Sequence, residues 1–346
     1  MQPAINSLET LSDLFQEVDG NYRLFDMGCR LSKLSVKDFN DFEHSQKPYA
    51  LPWLKHAWIG ILLWQTEQQH AVPTIWFLKF PLDEQGYLIQ ASRDEFLSQL
   101  LETIGTNMLD QKESAAMADK LQHSNLAFTP DQDRMAAFNA QARALLKQPE
   151  SDFYQPVRDY IMAPGHSEGW QELGLQGFAD LVSRVPDNEA LSKAVAASIA
   201  TLPAAVISGL AVQCENIVLP YPVSQAFVQR GRLSTDTGEQ VACLRAVSQA
   251  PNAQERQAWL LQMLAAGQEV GVELLAAVAS KCQADLRQSA VLAAFMEACA
   301  AEQGVFNGLV GELMYQQDLR QAMLGLVRSP ERSERLAVAF GQFLQA

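Results

Sequence analysis

Apolar and polar positions along the chain change their period once. Through the first hundred residues the apolar ones come in short runs of strand length, and beyond Asp94 they recur at three- and four-residue intervals. The clearest of the short runs is Ile75-Trp-Phe-Leu-Lys-Phe80, closed by Pro81, which has no amide proton to give to a ladder. Leu82-Asp-Glu-Gln-Gly86 follows as an acidic turn with a glycine able to take positive φ, and Tyr87-Leu-Ile-Gln90 reads as the returning strand of a hairpin. Ser92, with Glu95 three residues on, has the spacing of a capping box and predicts a helix start.

Upstream, Ser7 caps a helix whose apolar stripe is Leu8, Leu11, Phe15 and Val18. Tyr22–Gly28 and Cys29–Leu34 read as two strands, and Ser35–Glu43 as a short helix with Phe39 and Phe42 facing inward. Ala57–Trp64 has the length of a buried strand. The order is α-β-β-α-β-β-β-α, an α+β fold on a mostly antiparallel sheet. Trp53, Trp58, Trp64 and Trp76 crowd into this part and are expected in its core.

Downstream only helices are predicted. They cover Ser92 to near Gly105, Asp110–His123, a segment opened by Thr129-Pro130-Asp131-Gln132, and Asp152–Met162. Ala163–Gly169 reads as a linker, after which an alanine-rich tract is broken at intervals by proline and glycine. Asp285-Leu-Arg-Gln288 recurs as Asp318-Leu-Arg-Gln321, 33 residues later, and Asn252-Ala-Gln-Glu255 lies 33 residues before the first copy. Each reads as a capped helix start ahead of an apolar stripe, so antiparallel helix pairs stacked in a HEAT-like or irregular α-solenoid are expected. The expected division is an α+β domain over 1–105, a helical connection over 106–163 and a helical-repeat domain over 164–346.

With 346 residues, two cores are the better expectation than one. The net charge is −14, with 13 basic and 20 acidic residues on each side of residue 150. That balance argues against nucleic acid or an anionic membrane as partner and leaves a protein partner expected. Five cysteines without a C-x-x-C pair, and no basic-then-apolar leader, point to a reducing, cytoplasmic setting. The uncharged run from Lys193 to Glu215 is long enough to span a bilayer. It is rich in Ala, Ser and Thr and broken by Pro203, so two short buried helices are expected instead.

Chemistry is sparse. Gly165-His-Ser-Glu-Gly169 matches the nucleophile-elbow pattern, but a helical flank precedes it and no histidine follows His166, so a linker is expected. His44, His56, His70, His123 and His166 never fall in metal-ligand spacing, and no phosphate-binding glycine motif occurs; no cofactor or metal is expected. Arg230, Arg232, Arg328, Arg332 and Arg335 read as solvated helix ends. The one place where carboxylates and an arginine gather is the acidic turn with the following helix start: Asp83, Glu84, Arg93 and Asp94. Turn and helix-start preferences explain these residues without any activity. Two functions remain: a non-enzymatic protein–protein interaction or scaffold module, and an enzyme or small-ligand sensor using those four residues between the two domains.

The chain resembles an uncharacterised gammaproteobacterial family of unknown function. The resemblance is carried by Tyr22-Arg-Leu-Phe-Asp-Met-Gly28, by Ala57-Trp58 with Trp64, and above all by Trp76-Phe-Leu-Lys-Phe-Pro-Leu-Asp-Glu-Gln-Gly86 with Arg93-Asp-Glu-Phe96. It covers most of the chain and departs at Cys29, where arginine is expected. It implies a bacterial, cytoplasmic protein, and no activity or catalytic residue that can be carried over.

Overall fold

The computed structural model describes residues 9–17, 20–65, 73–104, 124–163, 168–265 and 270–345. The chain divides into two compact units, Met1–Asp131 and Gln132–Ala346. It is α+β: a small antiparallel sheet comes first and helices follow.

In the first unit, β1 (Asn21–Asp26), β2 (Ser32–Leu34), β3 (His56–Trp64) and β4 (Thr74–Pro81) form a sheet of order β2-β1-β3-β4, antiparallel throughout. Alternation along β3 sends Ala57, Ile59, Ile61 and Leu63 to one face, where Ile61 pairs with Trp76 and Ile59 with Leu78. Three helices cover that face with Leu11, Leu14, Phe15, Phe39, Phe42, Phe96 and Leu97: α1 (Leu11–Glu17), α2 (Val36–Glu43) and α3 (Gln90–Ile104). Ser35 caps α2 through its side chain, as its position ahead of Phe39 and Phe42 predicts. On the outer edge of β4, Lys79 N–H donates to Leu126 O and Phe128 N–H to Phe77 O, so residues 126–128 pair with part of that edge.

Three expectations change here. Tyr87–Gln90 is not a strand; only a Leu82–Leu88 bridge forms, because Tyr87 N–H donates to the Asp83 carboxylate and the chain enters α3 at Gln90. Ser92 therefore lies inside the first turn of α3 instead of capping it. Of the four clustered tryptophans only Trp76 is fully in the core. Trp53, Trp58 and Trp64 are half-buried, with Trp58 edge-on to Phe128 at 4.8 Å between ring centroids. The helix expected over Asp110–His123 lies outside the described residues.

The second unit is helical: α4 (Gln132–Leu145), α5 (Tyr154–Met162), a 3-10 turn (Trp170–Glu172), α6 (Leu175–Arg184), α7 (Glu189–Ser198), α8 (Ala204–Cys214), α9 (Tyr221–Leu233), α10 (Thr237–Ala246), α11 (Ala253–Met263), α12 (Val272–Lys281), a second 3-10 turn (Asp285–Arg287), α13 (Ser289–Cys299), α14 (Gln303–Leu313), α15 (Gln317–Arg328) and α16 (Glu334–Phe343). α4 starts at Gln132, two residues beyond the expected proline start. The uncharged run around Pro203 is α7 and α8, and among the described residues no helix is long and apolar enough to cross a membrane.

Each helix packs on the next but one. α4, α6, α8, α10, α12, α14 and α16 form one row; α5, α7 and α9, then α11, α13 and α15, form the other. Between the rows lies one continuous apolar core that includes Phe227, Phe295, Phe306 and Leu210, none of them measurably exposed. At the seam between α9 and α11, Trp259 packs where a side chain on Gly231 would stand. All five cysteines are buried and none forms a disulfide, and burial pushes the Cys243 thiol up to about 12.

Arginine–carboxylate clasps tie successive parts of the stack together. Arg256 on α11 holds Asp285 through two bonds, Nε to Oδ2 at 2.7 Å and Nη2 to Oδ1 at 2.9 Å, with both side chains almost wholly buried. Its Nη1 donates to Val247 O and Ala250 O just beyond α10. Arg287 in turn holds Asp318, this time in solvent. The repeated Asp-Leu-Arg is thus a link. Its aspartate accepts from an arginine about thirty residues upstream, and the arginine of the first copy donates to the aspartate of the second. The two copies are not equivalent helix starts. Asp285 lies in a 3-10 turn and Gln288 caps α13, whereas Asp318 is inside α15; Asn252 makes no side-chain cap bond.

The pair predicts unequal outcomes for one substitution. Asp285→Asn leaves the Arg256 guanidinium buried and underpaired and is expected to destabilise by about 3–5 kcal/mol. Asp318→Asn, in solvent, costs under ~1 kcal/mol. Urea unfolding of both variants measures the difference.

Candidate functional site

The antiparallel ladder brings two turns together at one end of the sheet. His56, which opens β3, pairs with Pro81, which closes β4, so the chain before β3 and the chain after β4 lie side by side. Leu82 N–H donates to Lys55 O across them.

The turn after β4 carries two of the expected residues. Asp83 Oδ1 accepts from Gln85 N–H at 2.8 Å and Tyr87 N–H at 2.9 Å. Gly86, at φ +85°, supplies the left-handed residue, and its carbonyl accepts from Tyr49 N–H. Asp83 and Glu84 are both exposed. The other two residues stand in the first turn of α3 and serve a different end. Arg93 is buried; its Nη1 donates to the Glu43 carbonyl at 2.6 Å, and its Nε and Nη2 donate to Asp94 Oδ1. Asp94 is largely exposed. Arg93 therefore joins α3 to the C-terminus of α2, while the Asp83 carboxylate is committed to the backbone of its own turn.

Beneath them is a buried carboxylate, Glu43, although as half of the Glu43-His44 pair its sequence suggests a surface contact. Glu43 accepts from Leu11 N–H on Oε1 and from Ser12 N–H and Ser12 Oγ–H on Oε2, so it seats the start of α1 on the end of α2. Burial raises its pKa from the ordinary 4.5, opposed by those bonds and by Arg93. A second buried carboxylate, Asp26, accepts from Tyr49 Oη–H at 2.7 Å and Gly28 N–H at 3.2 Å. Burial, reinforced by Asp26, pushes the Tyr49 phenol well above its usual range. This fixes the segment that leads to the other turn.

Among the described residues of the unit, that other turn has the most unusual backbone. Trp53 and His56 exchange both backbone bonds at 3.0 Å, which closes a two-residue hairpin loop on Leu54 and Lys55. Both loop residues have positive φ, +48° and +61°. Such loops favour Asn-Gly, and a non-glycine residue held there costs on the order of 1–2 kcal/mol. The loop persists because its surroundings over-determine it. Trp53 O accepts from both His56 N–H and the Trp58 indole N–H, Leu54 O lies 2.6 Å from His56 Nδ1, and Lys55 O accepts from Leu82 N–H. Leu54 is 55 % exposed. Trp53-Leu-Lys-His56 contains no Gly, Pro, Asn, Asp or Ser, so sequence pattern gave no sign of the loop.

Of the nucleophile-elbow pattern, Gly165, His166 and Ser167 lie outside the described residues. The element ahead of them is α5, where an elbow requires a strand. Among the described residues no three metal-ligating side chains converge.

Fold and side-chain placement together define a class: an α+β head unit and a stacked helical unit whose buried charges join elements to one another. The chain belongs to the family described as "Protein of unknown function (DUF3549)", whose model matches residues 6–344. No curated protein and no solved structure matches it.

The raised pKa of Glu43 fixes a sign. Stability from this group is fully present below pH 4.5 and is lost as pH rises through the folded-state value. Wild type should therefore lose stability relative to Glu43→Gln as pH rises above 4.5, as read from urea midpoints of the two proteins.

Proposed function

We propose that the protein is a non-enzymatic interaction or scaffold module of the bacterial cytoplasm, with a HEAT-like helical unit as its binding platform. The observation that carries this reading is the two-row helical stack itself. Stacked helix pairs build long, stiff surfaces that suit an extended protein partner. Clasps such as Arg256–Asp285 and Glu215 with Arg245 and Lys281 add to that stiffness by tying together helices distant in sequence. The stack also offers apolar side chains to solvent. Val338 on α16 is 54 % exposed and lines a groove of about 470 Å³ with Ala300, Ala301, Gln303, Arg335 and Gln342.

A catalytic or small-ligand site using Asp83, Glu84, Arg93 and Asp94 is the weaker reading. The Asp83 carboxylate already accepts two turn amides, and Arg93 is bonded to Glu43 and Asp94.

In extracts of the native cell, size exclusion should find the chain in a complex larger than its own 38.3 kDa, with defined stoichiometry. Elution as the free chain at every concentration tested is the result that overturns the proposal.

A further inference from the structure

We propose that the Trp53–His56 hairpin tip is a preformed docking knob that inserts Leu54 into an aliphatic pocket on a protein partner. This rests on reading the chain as an interaction module and names the part of the head unit that makes contact.

Neither burial nor backbone preference places a leucine at this tip. Leu54 is 55 % exposed, so burial does not account for an apolar residue there. Its φ of +48° is one that Asn or Gly adopts at far lower cost, so backbone preference does not account for it either. The loop is nevertheless held rigid. The carbonyls of Trp53, Leu54 and Lys55 are all engaged by His56, Trp58 or Leu82, which removes the ordering entropy a flexible loop loses on binding. An exposed leucine on a strained and firmly buttressed turn is what an anchor residue requires.

Charge selects the kind of partner. Lys55 at the tip accepts through its carbonyl from Leu82 N–H, which leads directly into the exposed carboxylates Asp83 and Glu84 of the adjoining turn, and the whole chain carries −14. An anionic bilayer is repelled by such a surface, whereas a protein pocket with basic residues at its rim complements it.

A benzoylphenylalanine photocrosslinker at position 54 of the full chain, and separately at position 338 on α16, tests this in native cells. The expected result is one defined protein adduct from position 54. That protein, purified, should bind wild type and lose about tenfold or more in affinity for the double variant Leu54→Asn, Lys55→Gly. The same variant relieves the strained turn, so its melting midpoint should rise by about 3 °C. Binding loss in a more stable protein separates contact from misfolding. Adducts from position 338 alone overturn the knob and leave the interaction module standing; adducts from neither position overturn both. Unchanged affinity in the double variant, or a melting midpoint that does not rise, overturns the knob. So does Leu54-dependent sedimentation with phosphatidylglycerol vesicles, which makes the tip a membrane contact.

Discussion

A charged side chain removed from water must meet its partner inside the protein, and in the helical unit that partner is usually on another helix. Arg256 is the fullest case. Its guanidinium reaches two carbonyls at the end of α10 and both carboxylate oxygens of Asp285, so one side chain sets the positions of α10, α11 and the approach to α13. Arg230 does the same one step earlier, with Nη1 on the carbonyls of Ile199, Ala200 and Leu202 beyond α7 and Nε on Glu239 of α10. Apolar burial supplies most of the stabilisation of such a stack, but it is non-directional. The clasps add direction, because a bidentate pair tolerates little sliding of one helix past the next.

The head unit obeys the same rule with different parts. Glu43 receives α1 and its own carbonyl receives Arg93 from α3, so the C-terminal end of α2 is where the three covering helices are joined. Packing from Phe15, Phe39, Phe42 and Phe96 then fills the space between these helices and the sheet. At the far end of β3 and β4 the backbone takes the opposite course. The ladder and the surrounding carbonyl bonds hold Leu54 and Lys55 at positive φ, so energy released in making those bonds sustains a turn that the residues themselves disfavour.

Among the expected site residues, Asp83 and Glu84 were legible as turn residues because aspartate and glycine spacing states a local geometry. Asp83 does close that turn. Arg93 was legible only as an arginine near carboxylates. That it would turn inward to the Glu43 carbonyl depends on α2 arriving beside α3, fifty residues away in sequence. Glu43, next to His44, suggests a surface contact because a glutamate at a helix end ordinarily faces solvent; it is buried because the amides of α1 arrive to donate to it. The hairpin at Leu54 escaped notice for the reverse reason: its conformation is imposed by neighbours and contradicts its own residues.

What the sequence by itself determined is the succession of elements. Short apolar runs of strand length, prolines and caps point to β1 to β4 and the all-helical remainder, since these signals act over a few residues. The identical Asp-Leu-Arg triplets also announced a regular relation at about thirty residues, though not its nature. Tertiary structure alone decided that one triplet is buried and the other exposed. It also decided that Tyr87–Gln90 leaves the sheet and that a leucine stands on a left-handed turn. Each of these outcomes depends on which distant group arrives to accept or donate a hydrogen bond, and a local pattern of residue types carries no record of that.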